Sequence, residues 1–132
     1  MKYMLLTYMD EQKWLALSPE QQRAEMAKCE PHVQWLVSSG KVLGGAPLHP
    51  VSMATTVRAH GGKRIVTDGP FAETREQLGG YTLVEAKDLD EAIDIAAGFL
   101  GDDSLASIEV RPILDLADLP GGEPLAEHVQ AV

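Results

Sequence analysis

Residues 63–85 constrain the fold of this chain more than any other stretch. The segment reads KRIVTDGPFAETREQLGGYTLVE, with an apolar, strand-like run at each end and a polar loop between them. The loop begins with Asp68-Gly69-Pro70-Phe71, in which Asp-Gly and Gly-Pro are both turn-forming pairs. We therefore expect two β-strands joined by a rigid loop, and functional residues concentrate on loops of this kind.

The first third of the chain predicts a strand followed by a long helix. Residues 2–8 are apolar on both faces, which is typical of a central strand. Ser18 is placed to cap the helix, with Pro19 at its first position and Gln21 completing a capping box. We expect Pro31 to kink or split this helix. Its predicted core-facing stripe is Met26, Cys29, Val33, Leu36 and Val37.

The rest of the chain predicts a hairpin, three further strands and a second helix. The hairpin arms are residues 52–59 and 63–67, with Gly61-Gly62 at the turn. Strands are predicted over residues 41–46, 81–86 and 106–114. Asp88 caps the helix. Its predicted apolar stripe is Leu89, Ala92, Ile93, Ala96, Ala97 and Leu100.

This order of elements predicts an α+β, ferredoxin-like βαββαβ frame with an inserted β-hairpin. One domain spans residues 1–114, and an acidic C-terminal tail, residues 115–132, lies beyond it. Both helices would cover one face of the sheet. The strands also carry apolar residues on the opposite face, so we expect that face to pack against a second copy of the chain.

Charge and composition exclude several classes of function. The net charge of -9 repels phosphate backbones and anionic lipid, so we expect no nucleic-acid partner and no membrane association. The single Cys29 cannot form an internal disulfide, and no export signal is evident, which predicts a cytoplasmic protein. The four histidines lack metal-ligand spacing, and no cofactor motif occurs, so neither a metal nor a cofactor is expected.

The loop motif and its surroundings resemble the YCII-related family, in its DGPF group. The matching segments are DGPFAETRE from Asp68, LGGY from Leu78, AKDLDEA from Ala86 and IEVRP from Ile108. The resemblance implies a dimeric α+β barrel, in which two sheets pack face to face and enclose pockets. It also implies a His and Asp pair, kinship with muconolactone-isomerase-type enzymes, and association with sigma factors of the extracytoplasmic-function type.

His32 and Asp68 are the candidate catalytic residues. His32 lies on the first long helix beside Trp35, and a histidine paired with a carboxylate can act as a general base near neutral pH. The alternative for His32 is a half-buried helix residue bonded to a backbone carbonyl. The alternative for Asp68 is a turn former whose side chain accepts from loop amides, with Phe71 filling the core beneath.

Seven further residues are candidates for ligand binding. Arg58 and Arg111 lie on predicted strands and could clamp an anion, or they could pair with surface acids. Tyr81 could donate into a pocket or form part of its wall. The remaining four belong to the loop: Gly69, Pro70, Phe71 and Glu73.

Three functions are compatible with these residues. The first is a dimeric pocket protein that performs cofactor-free acid-base chemistry on a small molecule, using His32 and Asp68. The second is a non-catalytic protein that binds a small molecule or regulates a sigma factor. The third is a dimeric scaffold without pocket chemistry. A shared pocket holding both side chains would favour the first.

Overall fold

The computed structural model describes residues 1–121, which form six strands and three α-helices. The strands are β1 (Lys2–Met9), β2 (Val42–Pro47), β3 (Thr55–His60), β4 (Lys63–Asp68), β5 (Gln77–Glu85) and β6 (Ala106–Pro112). The helices are α1 (Glu11–Leu15), α2 (Pro19–Ser38) and α3 (Leu89–Leu100). Two short 3-10 helices lie at Val51–Met53 and Leu116–Asp118.

Four strands form one antiparallel sheet in the order β2-β5-β1-β6, and β3 and β4 form a separate two-stranded sheet. Without the hairpin, this is the strand order of the ferredoxin-like frame, so the predicted fold class is confirmed. β1 is central, as its apolar composition predicts. The hairpin turn has φ of 57° at Gly61 and 76° at Gly62, values that glycine adopts without steric cost.

Local capping signals place the helix starts. The Ser18 hydroxyl accepts from the Gln21 amide at 3.1 Å, and the Gln21 side chain accepts from the Ser18 amide at 2.9 Å. Asp88 accepts from the Glu91 amide at 2.9 Å, as predicted. Helix α1 was not predicted, although Asp10 is an ordinary cap and accepts from the Gln12 amide at 3.0 Å.

Of the two expected effects of Pro31, a kink or a split of the long helix, the split is wrong. α2 runs from Pro19 to Ser38 with Pro31 inside it. Proline removes one donor, which would have bonded the carbonyl of Ala27 one turn earlier. Both residues are exposed, so water can satisfy that carbonyl and the helix continues.

The predicted core faces of both helices are partly wrong. On α2 the inward side chains are Cys29, His32 and Leu36, whereas Met26, Val33 and Val37 are 63%, 39% and 62% exposed. On α3 the buried residues are Ala92, Ile95 and Ala96, and Leu89 and Ile93 lie outside. Alanines on the facing side allow the two helices to approach closely, so the larger apolar residues are left at the surface.

The core lies between the helices and one face of the four-stranded sheet. Its buried residues are Tyr3, Leu5, Leu36, Val84, Ala86, Ala92, Ile95 and Ala96. Strand alternation places other side chains on the opposite face, which we call the far sheet face. The register assigns to it Met4, Leu6 and Tyr8 of β1, Tyr81 and Leu83 of β5, and Glu109 and Arg111 of β6.

The chain beyond the last strand is only partly described. β6 ends at Pro112, two residues before the predicted end, and Asp115 caps the 3-10 helix Leu116–Asp118 by accepting from Ala117 at 2.9 Å. Residues 122–132 of the predicted acidic tail lie outside the described residues. Within residues 1–121, no helix combines the length and apolarity needed to cross a bilayer.

Candidate functional site

The loop from Asp68 to Phe71 is fastened to β3 and to the residue before it. The Gly69 amide donates to the Ala54 carbonyl at 2.7 Å. The Thr56 hydroxyl donates to the Gly69 carbonyl at 2.8 Å, and the Arg58 guanidinium donates to the Phe71 carbonyl at 3.0 Å. The loop and the hairpin therefore form one hydrogen-bonded unit.

The Asp68 carboxylate is not part of this network. Asp68 is the last residue of β4, lies opposite Thr55 and is exposed. The expectation that its side chain accepts from loop amides is wrong, because the Gly69 amide already bonds Ala54 and no hydrogen bond to the Asp68 carboxylate occurs within residues 1–121. The carboxylate is therefore free to meet a ligand or a second chain.

The rest of the loop also faces outward. Phe71 is 76% exposed, so the prediction that it fills the core is wrong. Gly69 and Pro70 are half-buried, and Glu73 is exposed. Because Arg58 and Thr56 hold the loop by its carbonyls, the loop keeps its shape without burying the Phe71 ring.

His32 lies in the contact between α2 and α3. Its Nε2 lies 2.8 Å from the Ile95 carbonyl and donates to it. The ring stacks on Trp35 at a centroid distance of 5.8 Å and meets the edge of Phe99 at 4.8 Å. This is the geometry of the structural alternative, a half-buried helix histidine bonded to a backbone carbonyl.

Gly98 and Phe99, which contact the His32 ring, were not predicted as site residues. A Cβ added to Gly98 would lie 2.1 Å from Cε1 of His32, so the ring occupies the space that glycine leaves open. Cys29, one turn earlier on α2, donates to the Phe99 carbonyl at 3.2 Å. Gly98 inside a helix was the available signal, because glycine there costs about 1 kcal/mol relative to alanine and so marks a close approach.

His32 and Asp68 are not brought together within one protomer. The ring nitrogen of His32 bonds α3, the loop of Asp68 bonds β3, and no hydrogen bond joins the two side chains within residues 1–121. The catalytic pair therefore stays a prediction.

The far sheet face carries two of the predicted ligand-binding residues. Tyr81 is 38% exposed and lies opposite Leu6, and Arg111 lies opposite Met4. Arg111 also bonds Glu109 along its own strand, in a surface pair of the kind that contributes little to stability. Arg58, by contrast, uses its guanidinium to hold the Phe71 carbonyl.

Two cavities in the described part of the chain contain no predicted site residue. One, of about 290 Å³, lies beside Lys28 and the C-terminal end of α3. The other, of about 420 Å³, lies around Met1, Lys41 and Glu91. Residues 1–121 hold no cluster of His, Cys, Asp and Glu suited to a metal ion. Within one protomer the side chains of Asp68, Phe71, Tyr81 and Arg111 are exposed.

Two ion pairs each shift the pKa of one group. The Lys41 ammonium bonds the Glu91 carboxylate at 2.7 Å and holds the pKa of that carboxyl below its ordinary value. The Glu25 carboxylate bonds the Lys28 ammonium at 2.7 Å and raises the pKa of that amine. Both pairs lie away from the far sheet face and from the loop of Asp68, so they bear on stability rather than on the candidate site.

Comparison with known proteins identifies relatives. The sequence model of the YCII-related domain matches residues 1–116. An uncharacterised protein from Rhizobium meliloti (strain 1021) is 40% identical over 114 residues, covering 86% of this chain and 92% of that protein. A solved structure, 5-chloro-2-hydroxyhydroquinone dehydrochlorinase from Burkholderia phenoliruptrix AC1100 in complex with 2,5-dihydroxybenzoquinone, aligns with a TM-score of 0.43 and 15% identity, over 86% of this chain and 94% of that one.

Proposed function

This chain belongs to the YCII-related domain family, and on that premise we propose that it is a homodimer that binds a small molecule on the far sheet face. The observation that supports this most directly is the composition of that face. Half-buried Met4, Leu6 and Tyr8 provide an apolar floor, and Tyr81 and Arg111 add a phenol and a guanidinium at its surface.

On a single protomer Leu83 of this face is buried, but Tyr81 and Arg111 remain exposed. Small-molecule sites are usually concave and bury most of the ligand surface. A second copy packed face to face would close the floor from above and enclose a pocket between two sheets. An interface of standard size, about 1,600 Å² in total, would also cover the apolar side chains that one protomer exposes.

The chemistry of the face selects an apolar organic anion as the ligand class. Arg111 offers a planar fork that matches a carboxylate or sulfonate, and the Tyr81 ring provides a stacking surface. The bond from Arg111 to Glu109 is exposed, so a ligand anion can replace that partner at little cost. No cofactor is required for this binding.

Acid-base catalysis by His32 and Asp68 is the second candidate, supported by the unpaired carboxylate of Asp68. It is less well supported, because the His32 Nε2 donates to the Ile95 carbonyl. Association with an extracytoplasmic-function sigma factor and a cytoplasmic location stay predictions.

Light scattering and a binding probe test the proposal together. We expect a dimer at micromolar concentration, and binding of 8-anilinonaphthalene-1-sulfonate, an apolar aromatic anion, followed by fluorescence. Arg111→Ala should weaken probe binding about tenfold, the equivalent of one charge-assisted hydrogen bond. Arg23→Ala is the matched control, because Arg23 is an exposed arginine on α2. A monomer, or equal effects of both substitutions, contradicts the proposal.

A further inference from the structure

We infer that residues 55–71 are an intermolecular arm that packs on the far sheet face of the second copy, so that each site is built from two chains. We call these residues, which comprise β3, β4 and the loop from Asp68 to Phe71, the hairpin arm. The inference rests on the proposed homodimer and adds which segment enters the interface and what it contributes to the site.

The first observation is that most side chains of the hairpin arm are exposed within the protomer. β3 and β4 pair with each other and not with the four-stranded sheet. Val57 and Val66 lie directly opposite one another and are 63% and 57% exposed, and every strand residue except Thr56 is exposed. Two-stranded hairpins are at best marginally stable in water, so this one needs a surface to pack against.

The second observation is the Phe71 ring, which is 76% exposed. The carbonyl of Phe71 is held by Arg58 and that of Gly69 by Thr56, so the ring is presented by a fixed loop. A large aromatic side chain on a preorganised loop is typical of an interface anchor, because little conformational entropy is lost on docking.

The third observation is charge, and it selects a second copy of this chain as the occupant. The hairpin arm carries Arg58, Lys63 and Arg64 against Asp68 alone, in a chain whose net charge is -9. The remainder of the chain is therefore strongly acidic, and a basic arm is attracted to the acidic body of a second copy as a whole. On the far sheet face the charges of Lys2, Glu85, Glu109 and Arg111 balance, so that face does not repel the arm. A nucleic acid would be repelled by that same body.

Docking of the hairpin arm would complete the candidate site. β4 ends at Asp68, so the unpaired carboxylate and the Phe71 ring arrive together from one chain. The other chain provides the apolar floor with Tyr81 and Arg111. A ligand would then contact an acid and an aromatic ring from one protomer, and a phenol and a guanidinium from its partner.

A pair of charge insertions tests the arm. Val57→Lys and Met26→Lys alter side chains that are equally exposed, at 63% each, on the hairpin arm and on α2. We expect Val57→Lys to weaken dimerisation at least tenfold by light scattering over a dilution series, and Met26→Lys to leave it unchanged. Circular dichroism should show both variants folded, because neither side chain is buried.

The outcomes separate this inference from the proposed function. If Val57→Lys remains as dimeric as Met26→Lys, the arm is outside the interface and the inference is overturned, while the homodimer survives. If the unsubstituted protein is a monomer, the proposed function fails as well. If the hairpin arm binds another macromolecule and not a second copy, the purified protein without substitutions will be monomeric, and both the inference and the proposed function fail.

Subunit complementation tests whether the site is shared. Phe71→Ala changes the arm and Arg111→Ala changes the floor, and each alone should weaken binding of 8-anilinonaphthalene-1-sulfonate. After co-refolding, half of the dimers are mixed, and each of these holds one intact site, so about one quarter of sites should regain the original affinity. No recovery, with mixed dimers verified by native mass spectrometry, would place the site within one chain.

Discussion

Gly98→Ala should destabilise the protein, although alanine is the better helix former. Replacing a glycine inside a helix ordinarily stabilises by about 0.5–1 kcal/mol. Here the new Cβ would lie 2.1 Å from Cε1, 2.4 Å from Nδ1 and 2.5 Å from Nε2 of His32. These distances are far inside van der Waals contact, so the ring must leave its position.

The expected cost follows from the contacts that the displaced ring gives up. His32 loses the 2.8 Å hydrogen bond to Ile95, which contributes about 1 kcal/mol. It also loses the edge contact with Phe99, which contributes about another 1 kcal/mol. The helix-propensity gain offsets part of this, so Gly98→Ala should lower the free energy of unfolding by about 1–1.5 kcal/mol.

A double-mutant cycle provides the control. In a His32→Ala background no ring occupies the space above Gly98, so Gly98→Ala should there raise the free energy of unfolding by about 0.5–1 kcal/mol. Urea denaturation of the four proteins measures both steps. A stabilising effect of Gly98→Ala in the parent protein, equal to that in the His32→Ala background, would refute the packing of His32 on Gly98.

Three further predictions follow from the contacts of the loop and of α3. Thr56→Val should lower the free energy of unfolding by about 1 kcal/mol in urea, because the Gly69 carbonyl loses its donor; an unchanged midpoint would show that this bond does not hold the loop. Asp68→Ala and Asp68→Asn should both unfold within about 0.5 kcal/mol of the parent, since the carboxylate bonds nothing in residues 1–121; a larger loss confined to alanine would indicate a structural acceptor. Because Lys41 lowers the pKa of Glu91 from its ordinary value of 4.5, the ion pair stabilises fully above that value and the contribution is lost as pH falls through the lowered pKa. Glu91→Gln should therefore reduce the pH dependence of stability in the acid range, and an unaltered profile would contradict the pairing.

The fold was predictable from the sequence because its signals act over a few residues. The capping box at Ser18 and the positive φ of Gly61-Gly62 each depend on atoms within one turn of chain. Short apolar runs bounded by turn-forming residues then indicated which segments form strands. From that order the ferredoxin-like frame follows, since few topologies connect such elements without crossing.

Parts of the candidate site were predictable for the same reason. The position of the loop from Asp68 to Phe71 follows from its turn-forming pairs, and the residue types of Tyr81 and Arg111 indicate what they can bind. Their placement on one face follows from the register of β1 with β5 and β6. That register cannot be read from the sequence alone.

Only the tertiary structure decided which side chains are buried and which are paired. α2 could have turned Met26 and Val33 inward, but Gly98 on α3 leaves space for the His32 ring instead. The carbonyls of Ile95 and Phe99 accept from His32 and Cys29. The partner that settles this choice is more than sixty residues away along the chain, beyond the reach of any local pattern. Burial is a property of two surfaces together, and for that reason the sequence determined the elements of this protein while packing determined the roles of their side chains.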